Sequence, residues 1–379
     1  MFRYINLESM PTLDIAMPLA LLLIVTAAVF LNKRAESRLK ASVEEKEFQT
    51  KDILMLVVVM AIVISTIAIA SFVNPGGMFE NVLLAIFLGS YTMLLFTFTY
   101  MFSDIKKSRA QLLSVGFGIA SLAAGAVSLL EPLLDQATIF RVGAFFGLAI
   151  ACFAIAIYEQ RKTQDKKAKW YIAMQPPALF LLLIIFFNLL HFEGTLNIWF
   201  PVLLDIFGAT FAILIILYLS PMFNWKTVGI FAVMLTMLDI ILVFSGPMVA
   251  AADTFSGLGL PVLIYLPNVP LQISAEGALG FRGLGLGDFF FAGILAIQTY
   301  NQFGKKYAYA AIAAMVLAFG IWEAFLPDIF ALLGIRGFPA TVCIITGWIP
   351  IAVIGTLLHR KQKEPAPLQV VVEPPNDPL

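Results

Sequence analysis

The sequence predicts an all-α polytopic membrane protein, a bundle of 9–11 transmembrane helices. Of its 379 residues, 60% are hydrophobic and only 13% are charged, and the mean hydropathy is +0.92. Soluble domains are about 45–50% apolar and about 25% charged, so this chain is too apolar for that class. Apolar segments of about 20 residues, long enough to cross a bilayer, recur along the sequence. The lipid bilayer is therefore the expected environment.

Eleven such segments precede the C-terminal tail. They lie at about 15–31, 53–73, 82–102, 111–130, 138–158, 171–190, 197–219, 227–247, 284–303, 307–327 and 338–358. The stretch 171–219 contains Pro176, Pro177 and Pro201, and we expect these prolines to kink or shorten its helices. The first apolar run precedes its cluster of positive charge, whereas a cleaved signal has the reverse order. We therefore expect a permanent helix there.

Basic residues alternate between the two sides of the predicted bundle. Loops on one side hold 20 of the Lys and Arg residues, and loops on the other side hold only four. Those four are Arg3, Arg141, Arg282 and Arg336. Because cytosolic loops carry the excess of Lys and Arg, the N-terminus is predicted to lie outside and the C-terminus in the cytosol.

Composition also divides the chain and limits its chemistry. We expect N-terminal transmembrane helices over 1–220, a catalytic transmembrane region over 221–358, and a disordered, proline-rich cytosolic tail over 359–379. The zero net charge argues against a nucleic-acid partner. The only two cysteines, Cys152 and Cys343, lie inside apolar runs, and there are only two histidines. No metal site and no cofactor are expected.

Four acidic residues fall within predicted spans: Asp205, Asp239, Asp288 and Glu323. A carboxylate at the bilayer centre costs about 2.5–3.5 kcal/mol on insertion scales, so it usually faces protein or water and marks function. Asp205 follows Pro201 and could equally make a packing hydrogen bond or cap a helix break. Glu323 lies near a helix end, where an interfacial carboxylate is the simpler interpretation. Asp239 and Asp288 have apolar neighbours and favour a functional role.

Asp239 and Asp288 can reach one level of the membrane. At 1.5 Å per residue, Asp239 lies about 12 Å below the outer end of its helix, and Asp288 lies about 6–8 Å below the start of the next helix. Close carboxylates cannot both ionise readily, so such a pair shares a proton. One carboxylate can then act as general base on a water, while the other, protonated, donates to the carbonyl oxygen of a peptide bond.

The alternating glycines Gly283, Gly285 and Gly287 come directly before Asp288. Glycines here remove side chains at the helix entry and permit close backbone approach. A flexible loop end or small-residue helix packing would give the same composition.

These residues resemble a known family, the GxGD intramembrane aspartyl proteases, which comprise presenilins, signal peptide peptidases and archaeal homologues. The resemblance covers about 226–358 and is carried by Asp239, by Gly285-Leu286-Gly287-Asp288 and by Pro339-Ala340. It implies a presenilin- or signal-peptide-peptidase-like helical bundle. It also implies catalysis by Asp239 and Asp288, and substrate binding by Gly285, Gly287, Pro339, Ala340 and Thr341. Transmembrane peptides are the substrates implied.

The predicted orientation favours one branch of the family. Presenilins have the opposite topology, whereas an Asp239 helix that runs outward resembles signal peptide peptidase. That likeness implies type II membrane segments, including remnant signal peptides, as substrates. Three features depart from the family: Leu238 stands where the family has tyrosine, Thr341 replaces the leucine of Pro-Ala-Leu, and seven spans rather than five precede the Asp239 helix. Either two helices have been added, or 171–219 has been divided once too often.

A short segment between the two aspartates could present the substrate. Pro261–Pro267, PVLIYLP, is β-branched, aromatic and bounded by prolines, which predicts a strand outside the membrane. An unwound substrate could add to it as a further strand. An interfacial loop packed on lipid headgroups is the alternative. Gly257 and Gly259 predict a flexible approach to the strand.

Two other functions fit the same acidic residues. A secondary transporter could use Asp205, Asp239 and Asp288 as a proton or ion relay, although no inverted repeat is visible and the polar residues cluster late in the chain. A non-catalytic scaffold would account for the departures at Leu238 and Thr341.

Overall fold

The structure, a computed structural model, describes residues 14–42, 47–73, 78–130, 136–159, 166–190, 198–269, 271, 280–334 and 337–363. All structural statements refer to these residues. The helices are α1 (Ala16–Ser42), α2 (Thr50–Val73), α3 (Met78–Phe102), α4 (Lys107–Ser128), α5 (Gln136–Tyr158), α6 (Lys166–Ala173), α7 (Gln175–Ile184), α8 (Leu204–Leu219), α9 (Trp225–Ser245), α10 (Pro247–Gly257), α11 (Leu286–Phe303), α12 (Lys305–Leu333) and α13 (Ala340–Lys363).

The predicted class, an all-α polytopic membrane protein, is confirmed. The described part of the chain contains ten helices long and apolar enough to cross a membrane. α11 is 18 residues long but is not among these ten. It is the central helix, packed against α1, α8, α9, α12 and α13, and nearly every residue from Phe289 to Thr299 is buried. A helix surrounded by protein needs no lipid-facing apolar surface, so its polar C-terminal half is tolerated.

The stretch 171–219 forms two separate spans, as its division into two apolar segments predicts. The first is built from α6, α7 and a π-helical turn at Ile185–Leu189, and the second from a π-helical turn at Trp199–Leu203 followed by α8. Pro176 and Pro177 lie in the first turn of α7, where a missing backbone donor costs nothing, so the helix breaks before them as expected.

Two short strands lie between the aspartate-bearing helices. β1 (Leu263–Pro267) confirms the strand predicted at 261–267, and it pairs antiparallel with β2 (Phe281–Gly285), which was not predicted. The sheet lies where α9 ends, α11 begins and α13 begins. We call this end of the bundle, which also holds the start of α1 and the end of α12, the sheet end.

α4 and α5 form a hairpin at the edge of the bundle. They pack chiefly on each other, and their main further contact is with α7. Glycines permit this close approach: a Cβ on Gly118 would lie 2.8 Å from the Phe153 ring, and one on Gly125 would lie 3.3 Å from Phe145. α13 continues to Lys363, beyond the predicted start of the tail, and the rest of that tail, 364–379, lies outside the described residues.

Candidate active site

Asp239 lies on the buried face of α9, one to two turns before the helix ends. Asn224 and Thr227 form a capping box at the start of α9, and Gly246 ends it in the left-handed conformation, with φ of 99°. Both ends of the helix are thereby fixed. Asp239 is 8% exposed and sits among buried apolar neighbours such as Leu235 and Leu242.

Asp288 lies in the first turn of α11, directly after β2. The Asp288 carboxylate lies close to the backbone of Gly285, which is the residue before the helix and the last residue of β2. Asp288 is partly buried and keeps some accessible surface, unlike the fully buried phenylalanines that follow it.

The fold brings the two aspartates together. α9, α11 and α13 all pack against one another, and the Asp239 and Asp288 carboxylates interact electrostatically. Both lie toward the sheet end, since one is near the end of its helix and the other near the start of an antiparallel neighbour. Two coupled carboxylates, one buried and one partly accessible, can divide the roles of general acid and general base.

Thr341 connects α13 to this pair. Its hydroxyl donates to Asp239 Oδ2 at 2.6 Å, and its backbone N–H lies 3.3 Å from the same oxygen. Thr341 is 3% exposed, so its hydroxyl contacts the carboxylate rather than open space. Pro339 is buried, and Ala340 lines a neighbouring cavity. Of the three residues, Thr341 is the one that hydrogen-bonds an aspartate.

Leu238, directly before Asp239, supplies no polar group to the pair. It is partly buried and packs against the hydrophobic core. Thr341 is thus the side chain that hydrogen-bonds Asp239, and it comes from the facing helix rather than from the preceding residue. Sequence reasoning treated both positions as departures and did not connect them.

The glycines before Asp288 have different surroundings. A Cβ on Gly283 would lie 2.9 Å from the ring of Tyr265, its partner directly across the sheet, so Gly283 makes room for the aromatic ring. A Cβ on Gly285 would lie 3.3 Å from the Asp288 carboxylate. Gly287 is exposed and has open space around it. The close approach expected of these glycines occurs at Gly283 and Gly285, whereas Gly287 leaves a gap beside Asp288.

Burial raises the pKa of the Tyr265 phenol above its ordinary value. A hydrogen bond with Ser256 opposes this shift, and the negative charges of Asp253 and Asp205 add to it. The phenol is therefore neutral at physiological pH and can lie flat over Gly283 without bringing charge to the sheet.

The two edges of the sheet differ. Leu286 donates to the Val262 carbonyl, and Asn268 to the Gly280 carbonyl, so even-numbered residues of β2 bond to β1. Because bonding alternates along a strand, the backbone groups of Phe281 and Gly283 face away from β1. Among the described residues no third strand lies beyond β2. β2 thus has an open edge beside the aspartates.

The other edge, on β1, is occupied by a side chain. The Tyr265 backbone N–H donates to Asp205 Oδ1 at 2.6 Å. Asp205 therefore makes a structural hydrogen bond, one of the two interpretations its position allowed. The outer edge of β1 lies against α8, and Asp205 occupies the Tyr265 donor there. The addition of a substrate strand stays a prediction, and the more open edge for it is that of β2.

The approach to β1 is pinned rather than flexible. The Asn188 side chain donates to the Leu258 carbonyl at 2.9 Å, and the Trp199 indole donates to the Gly259 carbonyl at 2.8 Å. Gly259 has φ of +60°, and a Cβ there would lie 2.2 Å from Asn188 Oδ1. Glycine is needed for close packing at this position, and not for mobility.

Glu323 belongs to an ion cluster that sequence reasoning did not assemble. Arg282 Nη1 on β2 lies 3.0 Å from Glu323 Oε1 on α12, and Arg282 Nε lies 3.8 Å from Asp14 Oδ2 at the start of α1. Glu323 is 5% exposed and pairs with Arg282, so its carboxylate is buried within the protein near the sheet end. One feature of the sequence could have indicated this cluster: Arg282 is one of only four basic residues on that side of the predicted bundle.

The described residues contain no group of His, Cys, Asp and Glu that could hold a metal ion. Comparison of the chain with protein-family models, with curated proteins and with solved structures finds no match.

Proposed function

We propose that the protein is an intramembrane aspartyl endopeptidase that hydrolyses peptide bonds of transmembrane segments with Asp239, Asp288 and a water molecule. The observation that carries the proposal is the placement of two carboxylates near one end of the packed helices α9 and α11, close enough for their charges to interact. The resemblance to the GxGD proteases points to the same two residues. It further suggests signal-peptide-peptidase-like substrates, that is, type II membrane segments or remnant signal peptides.

The chemistry follows from the unequal surroundings of the two carboxylates. The ionised carboxylate takes a proton from a bridging water, which attacks the carbonyl carbon of the substrate. The protonated carboxylate donates to the carbonyl oxygen as the tetrahedral intermediate forms, and proton return to the amine completes cleavage. Thr341 donates to Asp239 in this arrangement, so it orients that carboxylate toward its partner.

A transmembrane substrate must be unwound before it can react, because a helix hides its peptide bonds in its own hydrogen bonds. The open edge of β2 provides an alternative partner for the freed backbone, since a peptide in extended form can add to a sheet edge. Gly285, the last residue of β2, lies beside the Asp288 carboxylate. A strand added to β2 would therefore run into the aspartate pair.

We also propose that the sheet end faces the outside of the membrane. The Lys and Arg distribution supports this orientation, with 20 basic residues on the opposite side and four on this one. The C-terminus then lies in the cytosol, and substrate cleavage takes place in the outer half of the bilayer.

The experiment uses the full-length protein in liposomes with a fluorogenic transmembrane peptide. Asp239→Asn and Asp288→Asn, which keep the shape of each side chain, should each reduce cleavage at least about a thousandfold, because each removes one of the two proton-transfer groups. Asp328→Asn is the matched control, since Asp328 is an exposed carboxylate on α12, near the sheet end of that helix. Undiminished cleavage in either Asp239→Asn or Asp288→Asn would reject the proposal.

The transporter alternative predicts a different readout in the same liposomes. It requires proton or solute flux that the two substitutions remove while peptide cleavage is absent in every variant. The hydrogen bond between Asp205 and the Tyr265 backbone weighs against a relay of three carboxylates, because it assigns Asp205 to the sheet.

A further inference from the structure

A cavity of about 390 Å³ borders β2 on the side of α12 and α13. Its wall comes from four parts of the fold: α1, β2, α12 and the beginning of α13. Most of the lining is apolar, including Met17, Leu284, Phe319, Phe330 and Ala340. Cavities of about 300–1,000 Å³ with few polar groups are typical of ligand sites.

The cavity lies next to the aspartate pair. Ala340 in its wall directly precedes Thr341, which bonds Asp239, and Leu284 directly precedes Gly285, whose backbone lies beside the Asp288 carboxylate. Anything bound in this cavity is within a few residues of the proposed scissile bond.

One part of the wall is charged. Arg282 and Glu323 both line the cavity, and Asp14 lies on the other side of the Arg282 guanidinium. Two carboxylates on one guanidinium leave one negative charge without a partner when all three groups are ionised. Among the described residues, Glu323 Oε2 is buried and has no hydrogen-bond partner. A buried acceptor left without a donor costs about 1–3 kcal/mol, and more if it is charged.

The geometry of β2 determines which substrate side chains could reach this wall. Side chains alternate between the faces of a strand, so Arg282 and Leu284 lie on the same face. In a substrate strand paired with the open edge of β2, the residues across from these two would point to that face as well. At about 3.3 Å per residue, these substrate residues would lie about two to four positions from the substrate peptide bond held beside Asp288.

We propose that this cavity is a substrate subsite that binds a long side chain with an apolar stem and a cationic tip, lysine or arginine. The inference rests on the proposed protease function. The stem lies among Leu284, Phe319 and Ala340, and the tip supplies the donor that Glu323 lacks. Lysine and arginine bury their stems readily while their charged ends seek a polar partner. The substrate class is thus a membrane segment with a basic residue on the outer side of the cleavage point.

The test begins with a peptide that the full-length protein cleaves in liposomes, with the cut located by mass spectrometry. Lysine is placed in turn at each of the five positions from the cut toward the outer end. Norleucine, which has the four-carbon chain of lysine without the ammonium group, is the matched residue at each position. We expect lysine to be preferred about tenfold in kcat/KM at one position, or at two positions separated by one residue, since a charge-assisted hydrogen bond is gained there.

Glu323→Gln is the decisive variant, because it keeps the side-chain volume and an oxygen to accept from Arg282. The preference for lysine should disappear in this variant, so that the ratio of kcat/KM for the lysine and norleucine peptides falls to about one. Asp328→Asn, at an exposed carboxylate on the same helix, should retain the preference. A lysine preference that persists in Glu323→Gln overturns the assignment.

The wild-type protein provides an answer that does not depend on how the variant folds. Glutamate at the selective position should be cleaved more slowly than norleucine, since it meets the uncompensated carboxylate. Equal rates for lysine, norleucine and glutamate at all five positions would refute the subsite but leave the protease function intact. Failure of the wild type to cleave any of the peptides would instead count against the protease function.

Discussion

At the residue scale, the environment of Asp239 depends on a side chain from another helix. A carboxylate buried at 8% exposure needs donors, and Thr341 supplies two, from its hydroxyl and from its backbone N–H. Only the hydroxyl depends on the identity of residue 341. A leucine at this position would leave only the backbone donor. The contribution of the threonine hydroxyl can therefore be tested by substitution.

Thr341→Val removes the hydroxyl while keeping the branched shape, and we expect kcat to fall about tenfold or more, because a charge-assisted hydrogen bond to Asp239 is lost. Thr341→Ser retains the hydroxyl and should recover most of the rate. KM should change little in both variants, since Thr341 touches the carboxylate and not open space. The measurement is steady-state cleavage of a transmembrane peptide. A rise in KM at unchanged kcat would instead indicate that Thr341 contacts the substrate.

Residue identities predicted part of this site, and for physical reasons only part. Charged side chains in apolar runs are conspicuous, so Asp205, Asp239, Asp288 and Glu323 could all be found in the sequence. Their partners could not, because each contact joins distant segments: Asp205 to β1, Glu323 to β2 and Asp239 to α13. Sequence spacing along one helix carries no information about such contacts.

At the element scale, the lengths of the apolar segments in the sequence predict the helices well. They do not predict the strand β2. β1 has bulky branched and aromatic residues, whereas β2 has two glycines among its five residues. Glycine weakens a strand on its own. Here Tyr265 on β1 packs over Gly283 and supplies the missing contact, so β2 exists only because β1 lies beside it. No local pattern in the sequence could have revealed it.

The packing of α12 against α13 depends on Gly347. A Cβ at this position would lie 2.3 Å from the Ala314 carbonyl oxygen and 2.6 Å from the Met315 Cα, so the backbones themselves are in contact. We expect Gly347→Ala to force the helices apart and to lower the free energy of unfolding by about 1–3 kcal/mol. Activity should fall as well, because α13 carries Thr341 and thus holds Asp239.

The matched control for this prediction is Gly229→Ala on α9. No atom lies within 4 Å of a Cβ built there, and the position is in the interior of a helix. Alanine should stabilise the helix by about 0.5–1 kcal/mol relative to glycine. Thermal unfolding in detergent, followed by loss of near-ultraviolet circular dichroism, distinguishes the two. Equal melting temperatures for the wild type and Gly347→Ala would contradict the close contact.

At the scale of the whole molecule, the candidate site and the α4–α5 hairpin lie apart. The α4–α5 hairpin is in contact chiefly with α7, whereas α9, α11 and α13, which hold the aspartates and Thr341, form the centre with α1, α8 and α12. The seven spans before the Asp239 helix therefore need not alter the centre. A pair of helices at the edge can be accommodated without moving any residue of the candidate site.

The orientation of the molecule can be tested on a single helix. α12 begins at Lys305 and ends at Leu333, so its two ends lie on opposite sides of a membrane that it crosses. Lys306 is exposed near one end, and Leu332 is 83% exposed near the other. The two native cysteines are buried and free, so they contribute little background. Lys306→Cys and Leu332→Cys therefore form a matched pair for labelling with a membrane-impermeant maleimide.

In intact cells we expect Leu332→Cys to react at once and Lys306→Cys to react only after permeabilisation. The reason is that basic residues collect on the cytosolic side, and Lys305 and Lys306 belong to the side that holds 20 of them. The same result places the start of α11, with Asp288, and the start of α13, with Thr341, near the outer surface. The reverse labelling pattern would put the sheet end in the cytosol, and a substrate would then have to present its cleavage point to that side of the membrane.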